Sequence, residues 1–365
     1  MLEQITIIGV GLMGGSLGLA ICRRGLARRV MGVDPDAENR RLALEAGAVH
    51  RTAPRINRDI LAGAEMIILA TPVGQVTAVL EEMRPHLSPG TVVTDVGSTK
   101  ARVCARAAEI MPPGTWFVGG HPMAGSEYSG MAGADPYLFE NAYYILTPPA
   151  DTPGEVVERV EQLVAGVGAR VVRMTPEEHD RAVAAVSHLP HLAAAALVNT
   201  LMNLPEGESF VPLAAGGFRD TTRIAGGNPL MWRDIFLSNQ GAVLESIKVF
   251  REQLDRLEGM IAAGDGEGIR ALLEEARTFR RAMRDGTRGY LPVMYEIVAA
   301  VPDRPGMIAG LARGLGDQGI NICDIEILRV REGEGGSIRL AFATEKEQEQ
   351  AAVILRQAGY QVVKR

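Results

Sequence analysis

The segment Gly9-Val10-Gly11-Leu12-Met13-Gly14 constrains this chain more than any other. It follows an apolar, β-branched run at residues 5–8 and leads at once into a helical run at 16–22, so strand, glycine turn and helix succeed one another without a gap. In that context the first glycine permits a tight turn, the second lets backbone approach a pyrophosphate, and the third lets helix and strand pack closely, with the helix N-terminus facing the anion. Gly9, Gly11, Leu12, Met13 and Gly14 are therefore assigned to a dinucleotide. Asp34 ends the next strand pattern at the usual spacing of about 20 residues, where a carboxylate accepts hydrogen bonds from adenine-ribose hydroxyls and repels a 2′-phosphate. The expected cofactor is NAD, with Arg40 and Arg41 keeping NADP as a lesser alternative. Thr71-Pro72-Val73 reads as a second loop along the cofactor, although any turn after a buried strand can look the same.

Further strand patterns at 30–33, 66–70, 92–95, 116–118, 143–146 and 171–174 alternate with helical ones, which predicts a mainly parallel, doubly wound sheet of Rossmann type over residues 1–175. At Thr175 the pattern changes. Thr175 suits an N-cap, Pro176 the first helical position, and Glu178 falls three residues after the cap, completing a capping box. An all-α domain is expected over 176–286. Its run 191–202 is apolar nearly all round and is expected to be buried, with a subunit interface as one way to bury it. Asp285-Gly286-Thr287-Arg288-Gly289 reads as a linker, and residues 294–365 read as βαββαβ, a ferredoxin-like unit: strands at 295–301, 320–330, 337–343 and 360–363, helices to about 316 and from about 346.

A chain of 365 residues accommodates two or three such domains. A net charge of −6, with only isolated basic pairs such as Arg28-Arg29, Arg40-Arg41 and Arg280-Arg281, argues against a nucleic-acid partner and for a small molecule. Cys22, Cys104 and Cys323 lie far apart, so neither a disulfide framework nor a thiolate metal site is expected. No leader pattern opens the chain and no apolar run looks long enough to cross a bilayer, which together predict a soluble, cytoplasmic protein with no membrane partner.

Two segments past strand ends carry candidate chemistry, because ligands of doubly wound sheets bind there. Ser98 lies in Asp95-Val96-Gly97-Ser98-Thr99-Lys100, and His121 in Gly119-Gly120-His121-Pro122-Met123-Ala124-Gly125-Ser126-Glu127. A histidine can take a hydroxyl proton as hydride leaves the same carbon. Alone, His121 fits a turn-holding loop histidine equally well. Ser187-His188-Leu189-Pro190-His191 places two histidines on one helical face; no third ligand has metal spacing, so substrate contacts or packing are expected and no metal. Gly217-Phe218-Arg219-Asp220-Thr221-Thr222-Arg223-Ile224-Ala225 is a polar stretch in an apolar domain. Its arginines suit a carboxylate through their planar forks, or a surface ion pair.

Taken together, residues 9–17, 95–100, the His121 segment, 187–191 and 220–225 resemble the prephenate dehydrogenase family in order and spacing, up to the linker. The resemblance implies His121 as catalytic acceptor for a ring C4 hydroxyl and Ser98 as its partner near nicotinamide. It also implies His188, His191 and Arg223 as substrate-binding groups, with Trp232 positioning the histidines. The implied reaction is NAD-dependent oxidative decarboxylation of prephenate to 4-hydroxyphenylpyruvate in tyrosine biosynthesis, by a homodimer. Residues 295–363 resemble an ACT domain, most clearly at Val301-Pro302-Asp303-Arg304-Pro305-Gly306-Met307-Ile308 and Gly319-Ile320-Asn321-Ile322. That resemblance implies allosteric tyrosine binding near Asp303, Gly306, Asn321 and Ile322, or a purely dimerising module. Two alternatives stand beside this reading: the same chemistry on arogenate, whose amine suits Glu127 or a nearby acid although such an acid equally suits a gate or turn, and a non-catalytic sensor of NAD and amino acids.

Overall fold

The computed structural model describes residues 1–125, 128–284, 294–302, 304–328 and 336–364. Contacts divide the chain into two units, Met1–Gln253 and Leu254–Arg365.

The first unit is organised by an eight-stranded sheet of β1 (Leu2–Ile8), β2 (Ala27–Val33), β3 (Arg51–Ala53), β4 (Met66–Leu69), β5 (Val92–Asp95), β6 (Trp116–Pro122), β7 (Tyr143–Thr147) and β8 (Arg170–Arg173). Its order is β3-β2-β1-β4-β5-β6-β7-β8. The crossovers are α1 (Leu12–Arg23), α2 (Ala37–Glu45), α3 (Arg58–Leu61), α4 (Val76–Met83), α5 (Ala101–Ile110) and α6 (Gly154–Gly166). Because strand side chains alternate, Ile5, Ile7 and Ile68 join α1 and α6 in one core, whereas Ile8, Ile67 and Leu69 join α3, α4 and α5 in another. All pairings are parallel except one: β6 runs parallel to β5 up to Val118, then antiparallel to β7 from Gly119. The sequence pattern gave no sign of that reversal, nor of β3, a three-residue edge strand.

The capping box forms as expected. Thr175 accepts from the Glu178 amide and the Glu178 carboxylate returns to the Thr175 amide, starting α7 (Pro176–Val183). A π-helical turn, Ala184–His188, joins it to α8 (Leu189–Asn203). Pro190 lacks the N–H that residue 186 would otherwise receive, and the wider turn absorbs that loss. The remaining helices of this unit are α9 (Gly207–Phe210), α10 (Gly216–Thr222) and α11 (Pro229–Ser238), followed by most of α12 (Gln240–Ala262).

One expectation is met only in part within a single chain, and another needs correction. Of α8 only His191 and Ala194 are buried; Leu197 and Met202 lie exposed, so the apolar helix is not covered within a single chain. In addition, the stretch Pro176–Asn203 is long and apolar enough to cross a membrane by length and composition, contrary to the sequence reading. The expectation failed because α7, the π turn and α8 run on as one helical stretch, which buries His179, Asp180, His188 and His191.

In the second unit α13 (Gly266–Arg284) precedes β9 (Tyr295–Val301), α14 (Met307–Gly316), β10 (Asp324–Leu328), β11 (Gly336–Phe342), α15 (Glu345–Gln357) and β12 (Gln361–Lys364). The sheet order β10-β11-β9-β12, antiparallel throughout, is the βαββαβ arrangement read from the sequence. Its core comprises Ile297, Ala299, Leu311, Leu315, Leu340, Phe342 and Leu355, among others. The expected strand at 320–330 begins only at Asp324, because Ile320 and Ile322 serve the core from a loop. The linker at 285–289 lies outside the described residues.

Candidate active site

Gly9 has φ +93° and a Cβ there would stand 2.5 Å from the Ala70 carbonyl oxygen; at Gly14 it would stand 1.8 Å from the Gly9 oxygen. Both positions demand glycine. Gly11 differs, since a Cβ would meet only the Gly130 Cα at 3.9 Å. Its bare face is open space at the N-terminus of α1, where the amides of Leu12 and Met13 begin the helix. Asp34 follows β2 and is buried; its carboxylate accepts from the Val10 amide at 2.9 Å and the Asp36 amide at 2.9 Å, which fixes it against the glycine loop. Arg40 donates to the Asp34 and Pro35 carbonyls, and Arg41 is held between Glu38 and Glu45. Both guanidinium groups thus have partners within the chain. Thr71 and Pro72 leave β4 beside Gly9, and the Thr71 hydroxyl is buried without a hydrogen-bond partner among the described residues.

Next along the sheet, Asp95 at the end of β5 accepts from the amides of Gly97 (2.9 Å) and Gly120 (3.0 Å) and from Lys100, whose ammonium also donates to the Gly120 carbonyl at 2.7 Å. Asp95 and Lys100 are fully buried, so each charge depends on the other and on these backbone partners. The network ties the β5 exit loop, which carries half-buried Ser98, to the end of β6. A Cβ at Gly120 would lie 2.6 Å from the Asp95 carbonyl oxygen, which explains the glycine before His121. His121 itself lies within β6 rather than beyond it, because the antiparallel pairing with β7 extends the strand to Pro122.

His121 Nδ1 is 2.8 Å from Nε2 of His179, a fully buried residue of α7. His179 Nδ1 is 2.8 Å from the Asp180 carboxylate, which also accepts from the amides of Lys100 (2.7 Å) and Ala101 (2.9 Å) at the start of α5. Burial first, then the neighbouring His179, Lys100 and His188, hold His121 well below the usual histidine range. At neutral pH it is therefore an uncharged imidazole able to take a proton.

His188 and His191, three residues apart, are both buried and turned towards α11. His191 stacks on Trp232 with ring centroids 3.7 Å apart, and His188 meets Trp232 edge-on at 6.2 Å. Asn239 binds both the Asp180 carbonyl (2.7 Å) and His188 Nδ1 (3.3 Å). Burial is the main cause that pushes His188 down to about 4, and it lowers His191 as well. Arg223 opens a short turn, Arg223–Gly226, after α10 and is exposed, as is Arg219; neither forms an ion pair with another described residue. The structure thus gathers His121, His188, His191 and Trp232 around α7, α8 and α11 but leaves Arg223 at the surface. α11 also touches the cofactor side, through Asp234 against Gly74 and through Ser238 Oγ, 2.9 Å from Thr99 Oγ1.

His179, Asp180 and Asn239 were not found in the sequence. His179 stands in Glu177-Glu178-His179-Asp180, an ordinary polar first turn of an amphipathic helix. Ser126, Glu127 and Asp303 lie outside the described residues. In the second unit Gly306 caps α14 with φ +89°, Asn321 is exposed and Ile322 packs on the core edge.

Comparison with known proteins bears on this arrangement. Two family models match in succession: prephenate dehydrogenase, nucleotide-binding domain, over residues 17–173, and prephenate dehydrogenase, dimerization domain, over residues 175–275. A prephenate dehydrogenase of Bacillus subtilis is 37% identical, over 96% of this chain and 95% of that protein. The structure of prephenate dehydrogenase from A. aeolicus in complex with hydroxyphenyl propionate and NAD⁺ is 34% identical with a TM-score of 0.72, covering 78% of this chain and 99% of that one. Synechocystis arogenate dehydrogenase is equally 34% identical, with a TM-score of 0.69 over 77% of this chain and all of that one (100%). With both family domains matched in order and a relative aligned over nearly its full length, the chain belongs to the prephenate dehydrogenase family.

Proposed function

We propose that this chain is an NAD-dependent prephenate dehydrogenase, converting prephenate to 4-hydroxyphenylpyruvate and CO₂ for tyrosine biosynthesis. The observation that carries the proposal is a neutral His121 fixed at the C-terminal edge of the sheet, one strand from the Ser98 loop. The residues present fit the cofactor: the face of Gly11 is bare, the Thr71 hydroxyl is buried and unpartnered among the described residues, and Asp34 stands at the glycine loop. NAD⁺, when bound, supplies the hydride acceptor.

Gly9, Gly11, Leu12, Met13 and Gly14 receive the pyrophosphate, Asp34 the adenine ribose, and Thr71 and Pro72 flank the dinucleotide. Prephenate presents two carboxylates and one ring hydroxyl. Arg223, His188 and His191 orient the carboxylates, Trp232 holds His191 in place, and Ser98 donates to or accepts from the ring hydroxyl beside His121. His121 takes the hydroxyl proton as hydride leaves C4. The resulting ketone is conjugated to the carbon bearing the ring carboxylate, so loss of CO₂ sends its electrons into that carbonyl and forms the aromatic ring. Decarboxylation asks no further base of the protein.

The division proposed for the whole chain is a cofactor domain at 1–175, a substrate and dimer domain at 176–286, and an ACT regulatory domain at 294–365. The dimerization-domain match and the uncovered apolar surface of α8 support a homodimer built through that helix, the partner also covering the stretch that by length alone could enter a membrane. The βαββαβ unit supports tyrosine feedback through residues near Gly306, Asn321 and Ile322. Three free cysteines are in keeping with a cytoplasmic location. NADH formation with prephenate or arogenate, with the product identified, tests the central reading. Turnover on prephenate supports it; turnover on arogenate alone moves the substrate; no turnover on either overturns it. Tyrosine that leaves both rate and Tm unchanged removes the regulatory part, and a monomer by sedimentation at micromolar concentration removes the dimer.

A further inference from the structure

Behind His121 lies a second histidine that the reaction as derived does not use. His179 has no exposed surface, yet both of its ring nitrogens are engaged: Nδ1 with Asp180 and Nε2 with His121. Which nitrogen carries the proton follows from the acceptors. The Asp180 carboxylate sits across the first amides of α5, accepting from Lys100 N and Ala101 N, and so presents an acceptor to His179. His179 Nδ1 is then the protonated nitrogen and Nε2 a lone pair. For the 2.8 Å contact to be a hydrogen bond, His121 must donate to it from Nδ1. That leaves His121 Nε2 unprotonated.

We propose that His179 and Asp180 form a positioning pair and proton relay for His121, an inference that rests on the dehydrogenase reading given above. The substrate hydroxyl gives its proton to His121 Nε2, the O–H bond breaking as N–H forms. The Nδ1 proton of His121 passes to His179 Nε2. His179 becomes an imidazolium against the Asp180 carboxylate, and His121 returns to a neutral ring in its other tautomer. The two electrons of the C4–H bond leave as hydride to NAD⁺, so charge and protons balance. The cation thereby comes to rest one residue behind His121, next to an anion held by a helix N-terminus.

Among the described residues the groups facing this pair are few. Lys100 lies on the α5 side, with Asp95 of β5 bound to it, and His188 on the π turn. Cys104 of α5 has its thiol pushed up to about 11 and Tyr144 of β7 has its phenol pushed higher still, both chiefly by burial, so neither titrates with the histidines.

Two measurements test the relay. Histidine ring-nitrogen NMR on the full-length protein, with signals assigned by their loss in H121N and H179Q, reads the tautomers without substrate. The expected result is a proton on Nδ1 of both rings; a proton on His121 Nε2, or none on His179 Nδ1, overturns the proposal even if no variant at residue 179 folds. Kinetics supply the second readout, because H179Q retains an acceptor for His121 but cannot take up a proton. The expected outcome is a kcat lower by at least about tenfold, a KM for prephenate near that of the wild type, and an acid limb of kcat/KM moved to lower pH. A wild-type kcat with an unmoved profile contradicts it. Wild-type protein that fails to reduce NAD⁺ with prephenate removes the dehydrogenase reading instead, while the tautomers still decide the relay.

Discussion

Around His121 the polar and charged groups among the described residues are buried and answered from within the chain, whereas around Arg223 the surface is open. Lys100, Asp95, His179 and Asp180 are 0 to 4% exposed and make hydrogen bonds to one another and to the backbone of β5, β6 and α5. Arg223 lies exposed after α10, in a region whose apolar residues Leu213, Leu230 and Met231 are also exposed. On the proposed reading the difference follows from what each part does. Where charge moves during the reaction, fixed dipoles placed beforehand act without reorganisation. On that reading, the partner of Arg223 arrives with the carboxylate ligand, and a second copy covers the apolar remainder.

The largest effect that sharpens this contrast is on stability. Lys100→Met leaves the buried Asp95 carboxylate without its cation and is expected to cost about 3–5 kcal/mol in chemical denaturation; a loss below about 1 kcal/mol, the level of an ordinary exposed ion pair, breaks the contrast. Arg223→Ala should do the reverse, leaving stability within about 0.5 kcal/mol. It should instead raise KM for prephenate roughly tenfold to hundredfold, the equivalent of about 1.5–3 kcal/mol for a hydrogen bond to a charged group. Trp232→Ala is expected to have a smaller effect on kcat/KM, about threefold to tenfold, from loss of a stacked aromatic contact of about 0.5–1.5 kcal/mol. An unchanged kcat/KM would mean that His191 does not need the stack.

Acid should weaken the fold in a defined window. His188 is lowered from 6.5 to about 4, and His121 is also lowered, so the folded state binds fewer protons than the unfolded chain between those values. Stability is present in full above about pH 6.5 and lost as pH falls towards 4. Thermal melts at neutral pH and at pH near 5 should therefore show a falling Tm, less steeply in His188→Asn; a flat or rising Tm would be inconsistent with neutral buried histidines.

Local signals made part of this legible. The glycine spacing and Asp34 describe a turn and its carboxylate within one βαβ unit, and Thr175 with Glu178 caps a helix through bonds three residues apart. His188 and His191 share a face because three residues nearly complete a helical turn. What escaped depends on pairing between distant segments. His179 is polar by local pattern and is buried only because α7 docks against α5, some 80 residues earlier in the chain (the Asp180 to Lys100 bond spans 80). The extension of β6 through His121 requires β7 as partner, and the exposure of α8 reflects a surface that the sequence marks only as apolar.

The most direct test is oxidation of prephenate by NAD⁺ measured side by side in the wild type and in His121→Asn, at saturating cofactor. The account predicts turnover in the wild type and a kcat lower by about 10² to 10⁴ in the variant, with Tm and NAD⁺ affinity retained. A variant that turns over prephenate at the wild-type rate would contradict the assignment of His121 as the base on which the whole site is built.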